Sequence, residues 1–479
     1  MSVSLVVFGL YFALVFLIGW LSLRKTDNAD DYWIAGGELG WVLGGATMAA
    51  THTSAGTFIG TIGVIHTVGW SFGWLILSVP MGYFVMAAVL APRFTRVRKL
   101  TLPGFIETRY DSKMARGVAA VIILVAATVY IQAQIVAGGL VANIVFGISP
   151  TQGMILFTLI LLAYTVIGGM IAVVYTDFLQ LVIMTAGILI AVPLTIRHLD
   201  GFTNLLDYAG AMNSLTFSWD GMPKMLLFTM GLAFFLGGVA TPEKVVRLYA
   251  MKDMRTIRRG VLFTIVIVTV MILLVATVAL GSIVLFPKLP TGDLAMPIVA
   301  RAILPPVVGA LLLAAITSAM MSTVDSLLIV AGSALSEDIY HTLIHPEATH
   351  ERRLVVARVG IFVVGTVPLL MTLSGVSDGE LVQFIVLLFT ALMASSFFMP
   401  VIGGLYWRRA NKQGAIAAMI GGLTTAMAWE ALGPEGIDPV LPGFLVSGAL
   451  LFIVSLLAAA PPASATDPYF SRARTVPES

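Results

Sequence analysis

The sequence predicts an all-α polytopic membrane protein that crosses the bilayer about thirteen times. Three observations predict it. Of the 479 residues, 58% are hydrophobic and only 11% are charged, with a mean hydropathy of +0.98; an ordinary soluble domain carries roughly 25% charge. The apolar residues fall in separate runs, each near the roughly 20 residues that a spanning helix needs. Lys and Arg collect on alternate connections between those runs. Lipid is the solvent that fits this composition. A net charge of +2 gives no reason to expect a nucleic-acid partner, and the absence of cysteine excludes disulfides, zinc–thiolate sites and a thiol nucleophile.

The runs lie at 2–23, 41–66, 70–91, 117–146, 151–173, 176–198, 222–240, 258–287, 305–340, 354–376, 380–407, 414–433 and 438–460. The first has no charge before it and is longer than a signal-peptide core, so it reads as a retained helix. With the N-terminus outside, the inside connections hold all but Arg197, Lys224, Lys288 and Arg301 of the 27 Lys and Arg residues. The C-terminus is then cytoplasmic, and the Pro-, Ser- and Ala-rich tail 461–479 is expected to be disordered. The arrangement is a single transmembrane domain, 1–460, in a multi-pass cell-membrane protein. Parity permits inverted repeats over approximately 41–198 and 222–407, since the second and seventh runs begin on opposite sides.

Helix breaks at matching places in two repeats point to a binding site in a membrane protein. The second run, GGATMAATHTSAGTFIGTIG, places Thr47, Thr51, His52, Thr53, Ser54 and Thr57 among five glycines. Thr and Gly both lower helix propensity. An unwound stretch there would free backbone carbonyls that a hard cation can satisfy. The seventh run, MGLAFFLGGVATPEKVVRLYA, is interrupted by Gly237, Gly238 and Pro242. Small residues also let helices pack closely; the coincidence of two interruptions is what favours a site.

Ionisable groups inside spans are costly and mark function by default. Asp325 lies in the ninth run with Ser318, Ser322, Thr323 and Ser326 nearby. Ser322 and Ser326 share a face, four residues apart, flanked by Thr323. Such a set can hold a monovalent cation, or simply pack between helices. Asp177 follows a short turn, where it could cap a helix or bind an ion. His52 could carry a proton, touch a substrate or only pack. Gln132 and Gln134 could face a substrate or bridge helices. Glu337 and Asp338 read as solvated, and the segment 102–114 as lying along the inner surface.

With these residues in place, the chain resembles the sodium/solute symporter family along nearly its whole length. The matching stretches are DDYWIAGGELGW, SAGTFIG, GGMIAVVYTDFLQ, TPEKVVRLYAMKD and MMSTVDSLL followed by SEDIY, in order. The resemblance implies the inverted five-helix-repeat, LeuT-like fold and import of a small solute with sodium across the cell membrane. It implies a main sodium site at the carbonyls of Ala50, Thr53 and Ala319 and the hydroxyls of Ser322 and Thr323. A second sodium position would use Asp177, Ser322, Asp325 and Ser326. The substrate is expected beside the breaks, near His52, Gly56, Thr57, Gln134 and Thr241.

The sugar-carrying members have Glu-Gln where this chain has Gly56 and Thr57, which argues against sugar. Gly36 and Gly37 stand where many relatives have Gly-Arg. The stretches GLYWRRANKQGAIAAMIGG and TPEKVVRLYA are most similar to the branch that carries pantothenate and monocarboxylates, with proline carriers next. Two alternatives share the fold: a proton symporter using Asp325 or His52, and a sensor that keeps the fold without the flux. Sensors of this kind usually carry a C-terminal signalling domain, whereas only 461–479 follow the last run; sensing through a separate partner stays open. No span carries the paired acid–base or metal-ligand set that a membrane enzyme would need.

Overall fold

The computed structural model describes residues 3–23, 35–97, 99–212, 216–376 and 379–470. Ser2, Arg24, Lys25, residues 30–34 of the DDYWIAGGELGW stretch, Arg98 and the tail 471–479 lie outside them. Among the described residues the regular structure is helical, with one isolated bridge between Leu39 and Met251. In lipid a spanning segment has to satisfy its backbone N–H and C=O groups internally, and a helix does this.

The principal helices are α1 (Val3–Leu23), α2 (Trp41–His52), α3 (Thr61–Val68), α4 (Leu75–Val85), α5 (Leu102–Tyr110), α6 (Lys113–Phe146) and α7 (Pro150–His198). They continue with α8 (Lys224–Ala240), α9 (Pro242–Ala250), α10 (Met254–Leu285), α11 (Pro306–Ser333) and α12 (His350–Leu373). The last four are α13 (Val382–Met393), α14 (Lys412–Leu432), α15 (Val440–Leu457) and α16 (Ala463–Phe470). Polar side chains fix several starts by accepting orphan backbone N–H groups: Thr101 caps α5, Ser112 caps α6 and Asp253 caps α10. Ser149 and Gln152 form a reciprocal capping box on α7.

Eleven helices among the described residues are long and apolar enough to cross a membrane. The other two expected spans correspond to the interrupted segment 41–68 and to the shorter helix Pro150–Ala163. Length and composition therefore establish eleven of the thirteen expected spans among the described residues. At the centre stands α11, buried at every residue from Leu312 to Ser333 and packed on α7, α6, α1, α12 and α2. Close approach of α2 to α10 requires glycine: a Cβ on Gly45 would lie 2.6 Å from the Gly260 carbonyl oxygen.

Four expectations are corrected. The turn between the fifth and sixth runs is at Gly169 (φ 62°), earlier than expected. Asp177 is therefore inside a helix and caps nothing. Helix α5 is not a surface helix: Arg109 is fully buried and donates to the carbonyls of Gly404, Trp407 and Ala410. Glu337 and Asp338 are buried as well, because Arg353 pairs with the first at 2.9 Å and Arg116 with the second at 2.7 Å. The tail is ordered over α16, where Tyr469 is buried edge-on against Phe105 and its carbonyl accepts from Arg96 at 3.0 Å.

Candidate functional site

The helix break expected in the second run lies at Thr53 and Ser54. Thr53 leaves the helix with φ −78° and ψ 96°, and the chain re-enters through a π-helical turn, Gly56–Gly60, before α3. The first amides of this second half-helix are already satisfied. Ala55 N donates to Gln134 Oε1 at 3.0 Å and Gly56 N to Ser54 Oγ at 3.0 Å. Thr57 N donates to the Ser54 carbonyl at 3.0 Å. Gln134 is thus a splint for the break, and the amides of Ala55, Gly56 and Thr57 are not free to bind a ligand carboxylate. The second break falls at Thr241, extended at φ −75° and ψ 139°, with Pro242 starting α9. Pro has no N–H to continue the preceding helix and suits the first position of a new one.

Against the inner side of the first break lie two hydroxyls of α11. Ser322 Oγ donates to the Ala50 carbonyl at 3.0 Å and contacts the Ala319 carbonyl at 3.2 Å. Thr323 Oγ1 does the same with Thr51 and Ala319, each at 3.1 Å. Five oxygens from two helices therefore converge in a fully buried spot. Thr53 stands at the break itself, with its hydroxyl turned to Met271 Sδ at 3.9 Å. Hydroxyls carry lone pairs as well as a proton, so the same atoms can turn from donating to carbonyls to coordinating a cation beside them.

Of the second set of expected cation ligands, Asp177 and Ser326 are brought together, around an arginine. Asp177 accepts from Thr47 and from Arg247, whose Nη2 is 3.3 Å away. The same Nη2 donates to Ser326 Oγ at 2.6 Å, Nε donates to Thr47 at 3.0 Å, and Nη1 donates to the Glu243 carbonyl at 2.5 Å. Asp325, fully buried on α11, accepts from Thr165 at 2.6 Å. Gln132 is away from these groups and donates to the Val376 carbonyl at 2.8 Å.

Beside the two breaks is a cavity lined by His52, Gly56, Thr57, Glu243, Lys244 and the rings of Tyr130, Phe234 and Phe389. Of the residues expected at the substrate, His52, Gly56 and Thr57 line it, whereas Gln134 and Thr241 are not among the lining residues. Sequence reasoning missed Glu243, Lys244 and Arg247. The last two were counted as loop cations, yet Lys244 is 8% and Arg247 0% exposed. The signal was present: three of the five residues after the Thr241-Pro242 interruption are charged, and a helix that resumes after its break carries them into the protein interior.

Comparison with known proteins agrees with this geometry. Residues 32–422 match the sodium:solute symporter family. The chain is 28% identical to the osmoregulated proline transporter OpuE of Bacillus subtilis, over 96% of each chain. It is 27% identical to the high-affinity proline transporter PutP of the same organism, over 95% of this chain and 98% of that one. Among solved structures, a Na+-coupled sialic acid symporter in a substrate-bound outward-open state superposes with TM-score 0.80 at 20% identity, covering 96% and 99% of the two chains. Mhp1, a nucleobase-cation-symport-1 family transporter, follows at TM-score 0.60 and 14% identity, covering 93% and 99%. These two likenesses show the fold, an all-helical transporter fold. The chain belongs to the sodium:solute symporter family, a family of transporters and not of enzymes.

Proposed function

We propose that this protein is a sodium-coupled symporter of the cell membrane that imports a small organic solute, a carboxylate of the pantothenate or monocarboxylate kind or proline. The observation that supports it most is the pairing of the Ser322 and Thr323 hydroxyls with carbonyls of the interrupted α2. The curated relatives named as proline transporters support the solute class.

Sodium is cargo in this reading. It enters from outside and is held by the carbonyls of Ala50, Thr53 and Ala319 and the hydroxyls of Ser322 and Thr323. By joining α2 to α11 it completes the cavity beside the breaks. Each ligand then raises the affinity for the other by the same factor. Rocking of one helix group against the other exposes the site to the cytosol, where low sodium favours release. The N-terminus is outside and the C-terminus cytoplasmic. Arg247 already supplies a positive charge to Asp177 and Ser326, which favours one sodium per cycle; a second ion at Asp177, Asp325 and Ser326 requires Arg247 to withdraw.

The test is solute uptake into vesicles containing the carrier, with sodium and proton gradients imposed separately. Ser322→Ala is expected to lose the sodium-driven component. Uptake that follows pH and ignores sodium assigns the coupling to Asp325 or His52 instead.

A further inference from the structure

Lys244 and Glu243 stand in the cavity with unspent bonding capacity. The Lys244 ammonium has three protons to donate, yet its nearest acceptors are the Gly237 carbonyl at 3.5 Å and Glu243 Oε1 at 3.9 Å. Both exceed the 2.7–3.2 Å of an ordinary N–H···O bond. The ammonium also faces the Tyr83 ring, 5.8 Å away. Glu243 is 2% exposed, and its Oε2 has no hydrogen-bond partner among the described residues. Arg247 does not relieve it, since that guanidinium takes the Glu243 backbone carbonyl and not the carboxylate.

Burying a charge this loosely satisfied is costly unless something completes its bonding. Most of the unmet capacity belongs to donors on Lys244, which call for an anionic acceptor on the ligand. One unmet acceptor, Glu243 Oε2, calls for a donor close to it. The half-helix amides at the first break cannot take the anion, because Gln134 and Ser54 already hold them.

We propose that Lys244 binds the carboxylate of the solute and Glu243 binds a hydrogen-bond donor on the neighbouring carbon. The ligand is then a small 2-hydroxy or 2-amino (or imino) monocarboxylate. This rests on the reading of the cavity as the solute site of a sodium-coupled carrier. Glu243 occupies the first turn of α9, where the positive helix end favours a carboxylate. The adjacent Lys244 therefore shares a rigid element with it, and the two poles are held at a fixed separation. The flanking Tyr130, Phe234 and Phe389 rings accept a short apolar remainder.

The experiment is thermal unfolding of the purified full-length protein with and without sodium, against five probes. L-Lactate and L-proline carry both groups, propionate lacks the donor, and lactamide and prolinamide lack the carboxylate. The expected result is sodium-enhanced stabilisation by lactate or proline, at least tenfold weaker binding of propionate, and none of the amides. Which of lactate and proline binds identifies the donor as hydroxyl or amine. Lys244→Met is expected to abolish the preference for carboxylate over amide, and Lys244→Arg to retain it in part. Glu243→Gln is expected to bring propionate level with the better probe. Sodium alone should still stabilise each variant, which separates a lost ligand contact from a failed fold. Equal binding of acids and amides by the wild-type protein, no binding of any of the three acids, or an unchanged Lys244→Met profile overturns the proposal. Lys244-dependent binding of the acids that is indifferent to sodium upholds the assignment of the pair and sinks the sodium-coupled reading instead.

Discussion

Arg247 sets its guanidinium 3.3 Å from the Asp177 carboxylate, and neither side chain has any exposed surface. The pair joins α9, just past the second helix break, to α7, and through Thr47 and Ser326 it reaches α2 and α11 as well. Four elements are thus tied at one planar group. Removing one partner of a buried pair leaves an uncompensated charge, at a cost of about 3–5 kcal/mol. Arg247→Ala is expected to lower the unfolding temperature markedly, and Arg247→Lys to recover little of it. An ammonium cannot reproduce the fork that reaches Asp177, Ser326, Thr47 and the Glu243 carbonyl together. Thermal unfolding of the three proteins in one detergent checks this; full recovery by Lys would reduce the role of Arg247 to its charge.

Ser322 and Thr323 make a sharper case, because their hydroxyls are expected to serve the ion more than the fold. Ser322 donates to the Ala50 and Ala319 carbonyls, both proposed for sodium, and Thr323 donates to Ala319 and to the neighbouring Thr51 carbonyl. Ser322→Ala and Thr323→Ala are expected to weaken sodium activation of uptake by tenfold or more, about 1.4 kcal/mol for each factor of ten. Thr323→Ser, which keeps the hydroxyl, should retain most of it. The readout is the sodium concentration for half-maximal uptake. An unchanged value in both alanine variants would remove this site from consideration.

The contrast between these two clusters shows what a sequence can reveal. The breaks near Thr53 and Pro242 were legible because Gly, Thr and Pro weaken a helix locally, although Gly237 and Gly238, expected to interrupt the seventh run, lie within α8. Ser322 and Ser326 were legible as one face because helical spacing is fixed. Lys244 and Arg247 were not, because a hydropathy run ends where charge begins; only tertiary packing shows that α9 re-enters the protein. Arg109, Glu337 and Asp338 failed in the same direction: each is charged, and each is buried because a partner distant in sequence neutralises it or satisfies its hydrogen bonds. Asp177 was misplaced by a few residues of boundary. Gly169 supplies a positive φ earlier than the apolar run suggested, and that moves the carboxylate from a helix start to a helix interior.

Gly45 gives a prediction about packing that needs no ion. A Cβ there would meet the Gly260 carbonyl at 2.6 Å and a Phe263 ring carbon at 2.9 Å. The first obstacle is backbone and cannot rotate away. Gly45→Ala is expected to push α2 off α10 and to cost about 1–3 kcal/mol, as overpacking does. Because α2 carries Ala50 and Thr51, the shift should also weaken sodium-dependent stabilisation. Gly9, with nothing within 4 Å of its would-be Cβ, is the control: Gly9→Ala should leave both unfolding temperature and sodium response unchanged.

Asp293 provides a pH dependence whose sign can be worked out. It lies in the connection between α10 and α11, 3% exposed, and its Oδ2 accepts the first amide of α13, Val382 N, at 2.9 Å. Burial pushes its carboxyl up to about 6, and the Val382 amide pulls it part of the way back. Between about pH 4 and pH 6 the unfolded chain has already released this proton while the folded protein retains it. Folding stability therefore falls as pH rises through that window and levels off above it. Asp293→Asn keeps a carbonyl acceptor for Val382 but cannot titrate, so its unfolding temperature should lack this contribution to the slope. Melting curves of both proteins at pH 4.5 and pH 7.5 measure it. The wild-type protein is expected to lose more on going to the higher pH, and equal losses would mean that Asp293 releases its proton as readily when folded as when unfolded.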